Sequence, residues 1–205
     1  MKIGLISDIH ATPQPVTEAF GLFRQHNVDM SICCGDIAGY GEELDKTVEL
    51  LLDSDCQVIS GNHDTWFLDN DVPGNQEWIK DYFSGLPKTL DFTAEDKHIL
   101  VVHAQPPRSN SGGIKLLDEQ GEIIPGRKDS WSNKLQEFNY DVLIVGHTHQ
   151  VFSQWLGNTL VINPGSTIFN HSCAILTLPD LEVQFFALSG KEIQKSWNWS
   201  QMNTM

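Results

Sequence analysis

The chain has 205 residues, of which 27 are acidic and 13 are basic, so its formal net charge at pH 7 is −14. An excess of negative charge this large argues against a general nucleic-acid-binding protein that works through a basic face. The length predicts a single domain over residues 1–205, because a chain of this size buries enough surface to form one core.

The sequence pattern predicts neither a membrane helix nor a targeting segment. No apolar run approaches the roughly 18 residues that a membrane helix needs, and the chain starts directly with a strand pattern at Lys2. We therefore expect a cytoplasmic protein without a membrane contact. Cys33, Cys34, Cys56 and Cys173 lack a Cys-x-x-Cys spacing, which predicts reduced thiols.

The first third of the chain alternates strand and helix patterns. Strands are predicted at residues 2–7, 29–34 and 57–60, and amphipathic helices at residues 15–25 and 42–52. Because helices connect these strands, we expect the strands to be parallel.

The middle of the chain is less regular. Its predicted elements are a helix at residues 75–83, paired strands between residues 90 and 103, a helix at residues 131–138 and a strand at residues 141–145. Between them, residues 105–129 contain three Pro and Gly pairs and show weak periodicity. We expect an irregular insertion there, beside the functional site.

The last part of the chain contains only short strand patterns, at residues 159–162, 173–178 and 182–188. Close spacing and turn residues predict antiparallel hairpins. No element is predicted for residues 191–205. Alternating strands and helices followed by strands alone predict an α/β fold with two stacked sheets flanked by helices.

Polar side chains follow five of the predicted strands, where each strand ends. They are Asp8, His10, Asp36, Asn62, His63, His103, His147 and His149. Ligands of open α/β sheets bind beyond the carboxyl ends of the parallel strands, so we expect these side chains to converge. In an extended chain, residues separated by one position point the same way, so Asp8 and His10 can address one locus.

The residue types at these strand ends are typical of a metal site. Carboxylate, amide and imidazole donors together suit manganese, iron, nickel or zinc rather than calcium, which prefers oxygen ligands alone. Seven candidate ligands are too many for one such ion. Two divalent ions about 3.5–4 Å apart would use them all, and Asp36, central in strand order, is the expected bridging carboxylate.

At this point the chain resembles the calcineurin-like metallophosphoesterases, specifically the small single-domain phosphodiesterase group. Five segments match the family motifs in order: Asp8-Ile9-His10, Gly35-Asp36-Ile37-Ala38-Gly39-Tyr40-Gly41, Gly61-Asn62-His63-Asp64, Val102-His103-Ala104 and Gly146-His147-Thr148-His149. Asn163-Pro164-Gly165-Ser166 also resembles a turn common in the small group. The resemblance implies a four-layer α/β/β/α sandwich of two mixed sheets flanked by helices.

The resemblance also implies roles for the strand-end residues. One ion would be held by Asp8, His10, Asp36 and His149, and the other by Asp36, Asn62, His103 and His147. His63 would be the catalytic residue outside the ligand set, protonating the leaving oxygen. A hydroxide bridging the two ions would attack the phosphorus of a small phosphate ester. Manganese is the expected metal, and a phosphodiester is favoured over a monoester.

Two other functions remain open. Some proteins with this fold have lost catalysis and act as scaffolds for partner proteins, but here all seven ligands and His63 are present. Phosphoprotein phosphatases and dinucleoside polyphosphate hydrolases carry a phosphate-binding arginine after the second motif. This chain has Gly39-Tyr40-Gly41 there, which disfavours both activities.

Residues outside the motifs are candidates for substrate contacts. In the irregular insertion, Arg108, Lys115, Arg127 and Lys128 are cations that could hold a phosphate, and we single out Arg108 and Arg127. The alternative is a solvated loop.

Three further side chains have two interpretations each. Trp66 and Trp78 could stack on a base, although core packing is the favoured interpretation. Asp64 could orient His63, or it could be exposed.

Overall fold

The computed structural model describes residues 1–70 and 76–198. The elements of the first part are β1 (Lys2–Ile6), α1 (Pro13–Gln25), β2 (Met30–Cys33), α2 (Leu44–Leu52), β3 (Gln57–Val58), α3 (Asn62–Asp69) and α4 (Glu77–Gly85). Those of the second part are β4 (Thr89–Ala94), β5 (Lys97–Val102), α5 (Pro125–Lys134), β6 (Val142–Ile144), β7 (Val151–Leu156), β8 (Thr159–Pro164), β9 (Ser172–Thr177) and β10 (Glu182–Ala187).

Within these residues the strands form two mixed sheets of five strands each. The first has the order β10-β9-β1-β2-β3, and the second has the order β4-β5-β6-β8-β7. β1, β2 and β3 are parallel to one another, as are β5, β6 and β8. The remaining pairs are antiparallel. Each sheet therefore has a parallel part whose carboxyl ends lie at one edge.

Three apolar clusters show how the layers stack. The central cluster joins residues of both sheets, such as Ile3 and Ile32 of the first and Val101 and Ile144 of the second. A second cluster packs the helices of the first part onto the outer face of the first sheet. A third covers the second sheet with residues of the insertion and of the region around α5. The predicted four-layer α/β/β/α sandwich is confirmed.

Several element boundaries differ from the sequence prediction. α5 begins at Pro125, inside the range predicted to be irregular, because proline is favoured in the first turn of a helix. It ends at Lys134, before the predicted end at residue 138. α3 and β7 were not predicted. The predicted start of the helix at residue 75 lies outside the described residues, as do residues 199–205.

The strands after residue 150 form hairpins, but the hairpins belong to different sheets. β7 and β8 pair in the second sheet, whereas β9 and β10 pair in the first. In addition, β8 lies parallel to β6, which a purely antiparallel interpretation missed.

Two expectations about the whole chain are tested by the structure. The four cysteines are free thiols, three of them buried. Within the described residues, the helices are too short or too polar to cross a lipid bilayer.

Candidate metal centre

The loops that carry the strand-end residues have an unusual backbone conformation. Asp8, His10, Asp36, His147 and His149 all have positive φ values, between 48° and 64°. A non-glycine residue held in this region costs on the order of 1–3 kcal/mol and persists only where its surroundings fix it. Here the N–H of His10 donates to the Asp36 carbonyl at 3.0 Å, which joins the loop after β1 to the loop after β2.

Asp8, His10 and His149 form the first donor group, with ligand atoms within 4.8 Å of one another. Nε2 of His149 lies 3.2 Å from Oδ1 of Asp8 and 3.2 Å from Nε2 of His10. Nδ1 of His10 faces the Ala38 carbonyl at 3.1 Å, so Nδ1 is the donor and the lone pair lies at Nε2. Burial lowers the pKa of His10 to about 4, so this imidazole is neutral at neutral pH and available to a metal.

Asp36, His103 and His147 form the second donor group. Nε2 of His103 lies 3.3 Å from Oδ1 of Asp36 and 3.1 Å from Oδ1 of Asn62. Nδ1 of His103 donates to the Cys34 carbonyl at 2.7 Å. Metal-bound histidines typically donate their other ring N–H to a carbonyl or carboxylate in this way.

The electrostatics of this second group favour a positive charge at its centre. Burial lowers the pKa of His103, but the carboxylates of Asp36 and Asp8 and the hydrogen bonds of the ring together raise it to about 9. Burial also lowers the pKa of His147 to about 4, which leaves that ring neutral. The oxygens of Asp36 and Asn62 therefore face a position that a proton on His103 or a metal ion can satisfy.

One carboxylate oxygen of the first donor group also favours a bound cation. Among the residues that the structure describes, Oδ1 of Asp8 is a buried carboxylate oxygen that accepts no well-aligned hydrogen bond, and Nε2 of His149 is its polar neighbour at 3.2 Å. Its partner Oδ2 accepts hydrogen bonds from the hydroxyl of Ser7 and the N–H of His147. A buried anionic oxygen without a donor is costly, and a cation would compensate it. The donor set thus fits divalent metal ions.

His63 lies beside these groups and, like His147, is partly exposed, whereas His10, His103 and His149 are buried. Its ring centroid is 4.8 Å from that of His10, 5.0 Å from that of Tyr40 and 4.7 Å from that of Trp66. His63 can also reach a common point with His10 and Asp36, since ligand atoms of the three lie within 4.8 Å. Burial lowers its pKa. The sequence thus predicted a residue that the fold brings to the site.

Asp64 has a different role from both of those considered in the sequence. It is fully buried, so it is not exposed, and its recorded hydrogen bonds are with the backbone instead of with His63. Its carboxylate accepts from four N–H groups, those of Asp36, Ile37, Ala38 and Gly61, at 2.8–3.0 Å. Burial raises the pKa of Asp64 to about 7, and these donors oppose the rise. Asp64 therefore holds the loop after β2 against the start of α3.

The end of β8 and the turn after it hydrogen-bond to the loops that carry the site residues. Nδ2 of Asn163 donates to the Gly146 carbonyl at 2.9 Å and to Oγ1 of Thr148 at 3.0 Å. The hydroxyl of Ser166 donates to the Asp8 carbonyl at 2.6 Å. The turn that the sequence marked only by resemblance thus fixes two of the ligand-bearing loops.

A cavity of about 190 Å³ opens over the two donor groups. Its lining includes His63, Trp66, Lys115 and His147. Arg108 and Arg127, the cations singled out in the sequence, are not among its lining residues. Arg127 lines an adjoining cavity that shares Lys115, and its guanidinium donates to the Leu117 carbonyl at 3.3 Å. Among the described residues, Lys115 is therefore the lysine or arginine that lines the cavity over the two donor groups.

Trp66 and Trp78 are both exposed, so the favoured interpretation that they pack in the core is wrong. Trp66 is 54% exposed and Trp78 is 37% exposed. Trp66 belongs to the cavity lining, whereas Trp78 lies on α4 away from it. Sequence reasoning could not separate the two because α3, the helix that carries Trp66, was not predicted.

Known proteins are similar to this chain in sequence and in fold. Residues 1–179 match the model of the calcineurin-like phosphoesterase superfamily domain. A probable metallophosphoesterase of Methanocaldococcus jannaschii is 27% identical over 187 residues, which cover 90% of this chain and 77% of that protein. A phosphodiesterase of the same organism is 24% identical over 169 residues, covering 80% of this chain and 83% of that one.

Solved structures agree at the level of the fold. A hypothetical protein from Pyrococcus horikoshii is similar with a TM-score of 0.69 and 18% identity, and the match covers 95% of this chain and 89% of that chain. The family model spans most of the chain, including all five motifs. The chain therefore belongs to the calcineurin-like phosphoesterase superfamily.

Proposed function

We propose that this chain is a metal-dependent phosphoesterase that uses two divalent ions and favours phosphodiesters over monoesters. The observation that carries the proposal is the pair of donor groups at one cavity, whose lining includes Asp36, His147, His149 and the half-buried His63. We further propose that residues 1–205 act as one metallophosphoesterase domain, with the insertion at residues 105–129 forming a wall of the cavity.

The ligand assignment follows the two donor groups. In this proposal Asp8, His10, Asp36 and His149 hold one ion, and Asp36, Asn62, His103 and His147 hold the other. Asp36 is the shared ligand, which is supported by its contact of 3.3 Å with His103 and by its place with His10 in a third donor group. Manganese is the proposed metal, with iron, nickel and zinc as alternatives that the same donors suit.

The chemistry divides between the ions and the side chains. When bound, two such ions polarise the phosphoryl group and lower the pKa of a water molecule, which supplies the attacking hydroxide. His63 protonates the departing oxygen, and its position at the edge of the cavity leaves it open to substrate. Asp64 and Ser166 keep the ligand-bearing loops in place through their backbone hydrogen bonds.

Two observations support a phosphodiester over a monoester. The relative from M. jannaschii named above is a phosphodiesterase. In addition, Lys115 is the one cation in the cavity lining formed by described residues, whereas a dianionic monoester favours several cationic contacts. A diester carries a single negative charge and therefore needs fewer cationic contacts than a monoester.

Hydrolysis of bis-p-nitrophenyl phosphate and of p-nitrophenyl phosphate, with manganese, nickel, zinc or iron added to the metal-free protein, tests the proposal. We expect turnover with manganese and a higher kcat/KM for the diester. Trp155→Ala, which changes an exposed residue of β7 away from the cavity, is the control and should match the wild type. Absence of turnover with every metal would reject the proposed enzymatic activity and favour a role as a scaffold for a partner protein.

A further inference from the structure

We propose that Trp66 and Lys115 form a nucleotide subsite at the mouth of the cavity, in which a nucleobase stacks on the Trp66 indole while Lys115 pairs with the phosphate. The substrate class is then a phosphodiester of a nucleoside. This inference rests on the proposed function, because it places the phosphate at the metal centre.

Trp66 stands where a base could reach it. It lies on α3, three residues after His63, and residues spaced by three share one face of a helix. The two rings are in contact, with centroids 4.7 Å apart. The indole is nevertheless 54% exposed, so a large apolar surface stays open to water beside the proposed catalytic residue. Exposed aromatic rings at a ligand cavity are favourable platforms for bases, since every base has a π-face.

The helix that carries Trp66 is well anchored. The buried Asp64 accepts the N–H of Gly61 at the start of α3 and the N–H of Asp36 in the neighbouring loop. The N–H of His63 donates to Oδ1 of Asp36 at 2.9 Å. Trp66 is therefore held at a set distance from the metal ligands, as a stacking platform requires.

Lys115 lines the same cavity from the insertion. Its neighbours in sequence, Ile114 and Leu116, are fully buried. The backbone on its carboxyl side is fixed because Oε1 of Gln150 accepts the N–H groups of Leu116 and Leu117 at 2.8 and 3.0 Å. Lys115 itself is exposed, and no hydrogen bond or ion pair to its ammonium is recorded among the described residues. A fixed backbone with a free ammonium suits a phosphate contact.

A second tryptophan nearby is a weaker candidate for the base. Trp131 lines the adjoining cavity of about 450 Å³ that shares Lys115. The ammonium of Lys134 lies 4.2 Å from the centroid of the Trp131 ring, over its face. A base would have to displace this cation–π contact. Among the described residues, Trp66 has no lysine or arginine over its ring, and its ring neighbour is His63.

The subsite is tested by two ligands that differ only in the base, adenosine 5′-monophosphate and ribose 5-phosphate. Their competition constants are measured against a small chromogenic diester on the manganese-loaded protein. We expect the wild type to prefer the nucleotide about 10-fold, the usual effect of one base stacked on an aromatic side chain. In Trp66→Ala the ratio of the two competition constants should fall to near 1, while the constant for ribose 5-phosphate stays unchanged. Trp66→Phe should keep most of the preference for the nucleotide.

The other variants separate the parts of the subsite. Lys115→Ala should weaken both ligands by the same factor, since it lacks contact with the base. Trp155→Ala, the control, should keep the wild-type ratio. Equal affinity of the wild type for both ligands, or a ratio that survives in Trp66→Ala, would overturn the inference. So would a ratio that is lost in Trp131→Ala but retained in Trp66→Ala.

Calorimetric titration of the same two ligands distinguishes this inference from the proposed function, because it does not require turnover. Hydrolysis of the chromogenic diester together with a ratio near 1 would reject the nucleotide subsite and leave the phosphoesterase standing. Absence of hydrolysis with every metal, together with a calorimetric ratio of about 10 that Trp66→Ala removes, would reject the enzyme and support the subsite.

Discussion

The floor and the rim of the cavity are built in opposite ways. We call the floor the buried donors, namely Asp8, His10, Asp36, His103 and His149, and the rim the accessible residues His63, Trp66 and Lys115. In the floor, two histidines face backbone carbonyls and both carboxylates accept backbone N–H groups. Rim side chains are half-buried or exposed and rest on backbone that is fixed elsewhere.

This difference separates two tasks. The floor requires the same donors whatever ester is hydrolysed, and its residues follow strand ends that the fold itself brings together. In the function proposed above, the rim contacts the part of the substrate that varies. Changes in the floor should therefore alter metal content, and changes in the rim should alter turnover or substrate choice with the metals retained.

The largest effect is expected from Asp36→Asn. Asp36 is the proposed shared ligand, and an amide supplies less negative charge to both ions. We expect loss of metal from the purified protein by elemental analysis and a fall of hydrolysis to background. Asp29→Asn, an exposed aspartate far from the cavity, is the matched control. Normal metal content in Asp36→Asn would break the distinction between floor and rim.

His63→Ala should have the next largest effect. A general acid typically contributes about 10²–10⁴-fold to the rate, so kcat should fall by that factor while both ions remain. Elemental analysis alongside kinetics checks both parts. If His63→Ala lost one ion, His63 would belong to the floor as a ligand, in line with its place near His10 and Asp36.

Asp64→Asn should have the smallest effect of the three. The amide keeps one oxygen but presents an NH₂ group to backbone N–H donors, so part of the four-donor arrangement is lost. Residues that orient metal ligands typically change metal affinity or activity about 10–100-fold. Metal titration of the variant measures this loss. Asp91→Asn, an exposed aspartate of β4, should bind metal as the wild type does.

An effect on stability alone would weaken this interpretation of Asp64. If Asp64→Asn lowered the melting temperature but bound metal with unchanged affinity, the carboxylate would support the fold without supporting the site.

Much of the floor could be predicted from the sequence because its residues are local signals. Asp8 and His103 each follow an apolar run, and the carboxyl ends of parallel strands meet at one edge of a sheet. The partners of Asp64 were not predictable in this way, because they include N–H groups 26–28 residues earlier in the chain. Only the folded structure brings those loops together.

The missed elements have physical reasons as well. β7 is an edge strand with a partner on one side only, and its alternation is broken by Ser153 and Gln154, which are both partly exposed. α3 has eight residues, of which only Asn62 and Asp64 are buried, so it carries no apolar stripe. The rim depends on α3, and for that reason the exposure of Trp66 could not be anticipated.

The positive φ values of the floor loops have a consequence for how such sites arise and vary. Asp, Asn and His are the non-glycine residues most enriched in the left-handed conformation, and Asp and His are also the residues that supply the proposed ligands. At Asp8, His10, Asp36, His147 and His149, the shape of the turn and the affinity for metal select the same small set of amino acids. A lineage that stopped binding metal would still be under steric pressure to keep Asp, Asn, His or Gly at these positions. An intact motif can therefore reflect the backbone conformation of the turn as well as metal binding. Measuring the metal content directly distinguishes these two causes.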